Sequence, residues 1–164
     1  MTREGMTDAL DDALRHRLLD RMPVARLALI DDDGCPEAMP IVFARVGEHL
    51  YSPIDGKPKR SARLSRLAWI AARPQAGLTL DHYADAWNTL WWLRITATAG
   101  IVHENHADFA YAAAALRAKY PQYATTPLFN GTPTMIELVP TGWRWWAAGG
   151  LAGIAAWLER DVGT

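Results

Sequence analysis

Between Val24 and Ser52 the chain reverses direction twice with almost no room to do so. Val24 to Ile30 reads as a strand and runs into Asp31-Asp32-Asp33-Gly34, a turn whose glycine can take positive φ. A second strand, from about Glu37 to Val46, places Ala38, Pro40, Val42 and Ala44 on one face and Met39, Ile41, Phe43 and Arg45 on the other. Gly47-Glu48 is a tight turn, and His49 to Ser52 returns as a third strand. Connections this short cannot hold a crossover, so these strands form an antiparallel meander. Pro40 has no N–H for a ladder and marks an edge, a bulge or a backbone opened toward a ligand.

The remaining elements fit around that meander. Residues 7 to 20 have the leucine spacing of a helix, with Thr7 as N-cap, and Pro23 ends it. Arg63 to Ala72 predicts a short helix stopped by Pro74, and Gly77 to Tyr83 a fourth strand. Ala84 to Leu90 reads as a loop, and Trp91 to His103 as a long fifth strand alternating through Leu93, Ile95, Ala97 and Ala99. Asn105 to Lys119 is an Ala-rich helix, and residues 121 to 133 a proline-bearing loop. Met135 to Val139 is the sixth strand, with Trp143 to Trp146 as its extension beyond Pro140.

The expected architecture is mainly β with flanking helices, a six-stranded antiparallel Greek-key barrel. It forms one domain: an N-terminal helix in 1–22, the barrel in 23–146 and a helical extension in 147–164. No G-x-G-x-x-G or G-x-x-x-x-G-K-[ST] fingerprint occurs.

A net charge of −1 excludes a globally basic nucleic-acid binder. Cys35 stands alone in a polar turn, so neither an intrachain disulfide nor a cysteine metal site is available. The Met-Thr-Arg-Glu-Gly start lacks the apolar core of a signal peptide, and the longest apolar run, Trp145 to Leu158, is too short to span a bilayer. A cytoplasmic protein is expected.

Positive charge is concentrated locally. From Gly56 to Leu80 no acid occurs, while Lys57, Lys59, Arg60, Arg63, Arg66 and Arg73 do. Lys57, Pro58, Lys59 and Arg60 sit where a strand gives way to a helix, and a helix N-terminus attracts anions. This points to a phosphate pocket, with Tyr51 and Ser52 adding neutral donors; the alternative is a solvated helix face, where Arg66 and Arg73 belong. Trp92 and Arg94 share a strand face, and Arg94 needs a ligand or an acid such as Asp81 or Asp85 if buried. His103 and His106 have an H-x-x-H spacing but no third ligand nearby in sequence, so no metal is expected. No catalytic dyad or triad can be assigned, which favours a bound cofactor as the carrier of any chemistry.

The order Ala25-Arg26-Leu27-Ala28, Met39-Pro40-Ile41-Val42-Phe43, Tyr51-Ser52, Asp55-x-Lys57-Pro58-Lys59-Arg60, Asp81-His82-Tyr83, Trp91-Trp92-x-Arg94 and Gly100 resembles a known family. It is similar to the split-barrel flavin and deazaflavin oxidoreductases, the pyridoxamine-5'-phosphate-oxidase-like superfamily, and within it to the F-420-dependent branch. The likeness spans about residues 22 to 146.

The resemblance implies an FMN-binding type of split barrel, homodimeric, with cofactor sites at the subunit interface. By position, Lys57, Pro58 and Lys59 would hold the cofactor phosphate with Ser52. Met39, Pro40 and Ile41 would line the tricyclic ring through main-chain contacts, and Trp92 and Arg94 would touch it from elsewhere in the barrel. The implied activity is hydride transfer from F-420 to a small conjugated acceptor, with no nucleic-acid or membrane partner. FMN in the same fold, and a non-catalytic barrel that binds a cofactor or tetrapyrrole, are the alternatives. The C-terminal Trp…Arg pattern by which pyridoxamine-phosphate oxidases hold pyridoxal phosphate is not found.

Overall fold

The computed structural model describes residues 10–54, 60–129 and 131–160, with the backbone alone for 60–64. Seven strands form one antiparallel sheet: β1 Ala25–Ile30, β2 Pro36–Ile41, β3 Ala44–Val46, β4 His49–Pro53, β5 Gln75–His82, β6 Trp91–Val102 and β7 Met135–Ala147. Their order is β2-β1-β5-β6-β7-β4-β3. Four helices flank it: α1 Asp12–Arg21, α2 Arg60–Ala72, α3 Phe109–Lys119 and α4 Gly150–Glu159.

The expected strand from Glu37 to Val46 is two strands, which raises the count from six to seven. Val42 and Phe43 leave the ladder, and β2 and β3 lie at opposite ends of the sheet order. Two residues reach only about 10 Å between the flanking Cα atoms, so the sheet must curl until its edges almost meet. That short link makes the sheet a barrel. Tyr120 holds the break in place. Its hydroxyl accepts from the Phe43 N–H at 3.0 Å and lies 2.8 Å from the Phe43 carbonyl and 2.9 Å from that of Pro23.

Inward-facing residues follow the period-2 rule. Leu27, Leu29, Leu78, Leu80, Leu93, Ile95, Ile136 and Leu138 fill the barrel with Leu18, Leu19, Ile70, Ile154 and Leu158 from the helices. A second cluster outside the wall joins Ala44, Tyr51, Val102 and Met135 to Phe109, Ala112, Ala113 and Leu116 of α3. Helix α4 adds Ile154 and Leu158 to the barrel core. Arg21 caps α4 by donating to the carbonyls of Trp157, Leu158 and Arg160 at 2.8, 2.6 and 2.5 Å, satisfying acceptors a helix C-terminus leaves open.

Three boundaries move for local reasons. Helix α1 begins at Asp12 because Asp11 accepts from the Ala13 N–H; Thr7 lies outside the described residues. Helix α3 begins at Phe109, after turns through residues 104–108. Strand β7 continues through Pro140 because a bulge absorbs it: Thr96 pairs with Gly142 and Ala97 with Pro140, leaving Thr141 as the extra residue.

Candidate functional site on the open face of the barrel

Helix α3 covers the outer wall over β3 and the adjoining strand ends. The outer face of β1, β5, β6 and the second half of β7 carries side chains of a different kind. Cross-strand pairing sorts them into rows, since directly opposed residues share a face. The middle row runs Pro40, Arg26, Thr79, Arg94, Arg144. On one side of it lies a row of small residues, Ala38, Ala28, Gly77, Thr96 and Gly142. On the other side Asp81, Trp92 and Trp146 stand abreast.

The small row sinks a groove of about 740 Å³, lined among others by Arg26, Arg94 and Arg144. Its floor is constrained. A Cβ on Gly142 would sit 2.6 Å from Thr96 Oγ1, so any larger residue there must displace the Thr96 hydroxyl. A neighbouring depression of about 450 Å³ is bordered by Asp81, Tyr83, Trp92 and Arg94.

Asp81 pairs with Arg26 at 2.6 Å, not with Arg94 as the sequence allowed. Arg94 is exposed and its guanidinium lies 5.5 Å from the Trp92 ring centroid. Arg144 is exposed directly across from it. Among the described residues neither has an acidic partner.

The residues expected to gather round a cofactor do not all meet within one chain. Pro40, Trp92 and Arg94 share the open face. Met39 is half-buried and Ile41 buried, with side chains turned to the barrel interior, so β2 can offer a ligand its main chain, as expected of an edge strand. Ser52 is buried on β4 and aligns through Ile136 with Ile101 of β6, seven residues from Arg94. That is roughly 23 Å along the strand. Lys57, Pro58 and Lys59 lie outside the described residues, as does the side chain of Arg60.

Tyr51 is a correction. It is not an open donor for a bound phosphate but lies under α3, fully buried, its hydroxyl donating to Glu137 Oε1 at 2.9 Å and Asp108 Oδ2 at 3.1 Å. Burial first, and these two carboxylates second, hold the phenol protonated far above its ordinary range. Alternation on a strand could have revealed this, since Tyr51 and Ser52 must point to opposite faces. His49 Nδ1 also meets Glu137 Oε1, at 2.9 Å. His106 faces the same carboxylate at 3.6 Å, whereas His103 turns to the Pro133 carbonyl at 3.3 Å. The H-x-x-H pair therefore does not converge, and no metal-binding group of three is found among the described residues.

The sequence reading missed Arg26, Thr79 and Arg144. The signal that assembles them is register, which no local motif carries.

No helix among the described residues is long and apolar enough to cross a membrane. No known family profile matches the sequence, and no curated protein matches it. Solved structures do. Conserved hypothetical protein Rv2991 from Mycobacterium tuberculosis aligns over 100% of this chain and 98% of its own, at 14% identity and a TM-score of 0.69. HutZ, the heme storage protein from Vibrio cholerae, covers 83% of this chain and 93% of its own, at 15% identity and a TM-score of 0.64. An F-420 reductase covers 77% and 93%, at 21% identity and a TM-score of 0.57. At such identities the likeness speaks to architecture. The chain has the split-barrel fold of the pyridoxamine-5'-phosphate-oxidase-like proteins.

Proposed function

We propose that the chain is a homodimeric oxidoreductase that binds a deazaflavin, F-420, against the open barrel face. The observation that carries this reading is the face itself. A trough of small residues floored by Gly142 admits a flat ring close to backbone, and beside it stand Arg94 and Arg144, which have no acid partner among the described residues. The fold is also that of an F-420 reductase.

When bound, the deazaflavin would supply a hydride to a conjugated acceptor. The chain's own part is to hold and orient. The free edge of β2 offers main-chain groups to the ring, and Trp92 and Arg94 flank it. Lys57, Pro58 and Lys59, with Ser52, take the phosphate, and Arg60 or Arg63 the acidic tail. Because Ser52 and Arg94 of one chain lie far apart along the sheet, the two sets combine most simply across a dimer, each site drawing on both copies. Among the described residues lining the groove none is assigned as a proton donor, and on this reading protons come from solvent.

FMN in the same site is the nearest rival. The likeness to a heme storage protein supports a second reading, a tetrapyrrole-binding barrel. Among the described residues lining the two depressions, the side chain of a type that ligates haem iron is Tyr83, two-thirds exposed.

Parallel titrations with F-420, FMN and haem decide between them. F-420 is expected to bind most tightly. Lys57→Ala should weaken F-420 by roughly ten- to a hundredfold, the loss of one charge-assisted phosphate contact. Arg66→Ala should stay within about twofold, as a screened surface charge does. Stoichiometric FMN in the purified protein, or haem binding tighter than F-420, would sink the deazaflavin reading.

A further inference from the structure

We propose that Arg94 and Arg144 form a two-guanidinium seat for the carboxylate of a planar aromatic ligand on the open face. The inference names a ligand class for the groove. It rests on the oxidoreductase reading only for what then happens to that ligand, since the seat is defined by the face alone.

The argument begins with a cost. Like charges at directly opposed positions of an antiparallel pair repel, and sequences normally place an acid or a neutral residue there. Here Arg94 and Arg144 oppose each other across β6 and β7, and among the described residues no carboxylate answers either. The lining of the two depressions holds three arginines, Arg26, Arg94 and Arg144, against one acid, Asp81, which Arg26 already occupies at 2.6 Å. Two positive charges are left over. A guanidinium presents parallel N–H donors matched to the two oxygens of a carboxylate, and two adjacent forks match one carboxylate better than either alone.

The surroundings specify the rest of the ligand. On one side of the pair the small row lets a flat body lie close to the backbone. On the other, Trp92 and Trp146 stand directly opposite each other, with Trp146 more than one-third exposed. Arg94 is held near the Trp92 ring at 5.5 Å, a contact that orients the fork and limits the freedom lost on binding. A flat anion satisfies the charge, the trough and the aromatic wall at once. A simple inorganic anion would leave the wall unused.

The test is calorimetric titration of the full-length chain, without cofactor and at low salt, with 2-naphthoate and with 2-naphthamide, its neutral isostere. Naphthoate should bind more tightly by about tenfold, a preference that shrinks as sodium chloride is raised. Arg94→Gln and Arg144→Gln should each remove most of that preference while leaving naphthamide unchanged. Arg117→Gln, exposed on α3, should keep it in full. Thermal melts check that the variants fold.

Equal affinities, no naphthoate binding because a second copy fills the face, or a preference surviving in the double variant would each overturn the seat. Titrating the same variants with F-420 separates the two proposals. Naphthoate selectivity without F-420 binding leaves the seat standing and the deazaflavin reading fallen; the reverse leaves the cofactor without the seat.

Discussion

Lys119 carries its ammonium into the seam between α1, α3 and β3. Nζ donates to the Leu19 carbonyl at 2.8 Å and lies 3.7 Å from the centroid of the Phe43 ring. Burial lowers its pKa to about 8, with Asp20 opposing the shift and Arg45 adding to it. The sign of the effect on stability follows. Below about pH 8 the lysine is charged in both folded and unfolded chains, and the folded state bears the desolvation cost. Between about 8 and the unfolded value of 10.5 the folded chain has released the proton while the unfolded one holds it, so stability rises with pH. The full swing is at most about 3 kcal/mol. Lys119→Met removes the titration. In melts from pH 7 to 9.5, the parent should gain on the variant as pH rises; a constant gap would mean that Lys119 keeps its proton. Tyr120, raised to about 12 chiefly by burial, works against stability only above pH 10 and stays out of that window. Neither role was legible in the sequence, where both residues marked only the end of a helix. A titrating group's neighbours are set by tertiary contact, and Phe43 is 76 positions from Lys119.

At the scale of elements the sequence told most where periodicity is long. The alternation through Leu93, Ile95, Ala97 and Ala99 defined β6 within a residue, because one buried face imposes period 2 over its whole length. It failed where one apolar alternation serves two strands, in residues 37 to 46, since the pattern continues across a break that Tyr120 enforces from a distant helix end. The bulge at Thr141 is a similar case. Pro140 looked like an ending, yet the step in register carries the strand past it and aligns Gly142 with Thr96. That pairing is testable. Gly142→Ala should destabilise the fold by roughly 1–3 kcal/mol in urea denaturation, the usual range for overpacking. Adding Thr96→Ala should restore most of the loss, because the 2.6 Å approach is to Thr96 Oγ1. If the double variant is no better than the single one, the strain lies in the backbone of the bulge instead.

For the whole molecule, the open face is the point at which one chain looks unfinished. A sheet face left to water normally alternates to polar side chains; this one flanks its middle row of arginines with Ala28, Gly77 and Gly142 on one side and Trp92 and Trp146 on the other. Ser52 and Arg94 belong to opposite faces and are separated along β6, so on the proposed reading a shared site would draw on a second copy. An antiparallel barrel could be foreseen from the clustered short strands, but neither its closing link at Val42 and Phe43 nor the face that stays open could, because the first depends on Tyr120 and the second on where α3 and α4 dock. We expect sedimentation velocity at micromolar concentration to give a dimer. Ala28→Arg sets a long cation in the middle of the small row while its barrel-facing neighbours Leu27 and Leu29 stay buried. It should therefore shift the species to monomer with the melting temperature of the isolated fold retained, and abolish F-420 binding with it. A parent that sediments as a monomer would remove the interface site. A variant that stays dimeric would place the contact on another surface and leave the groove open to solvent in both copies.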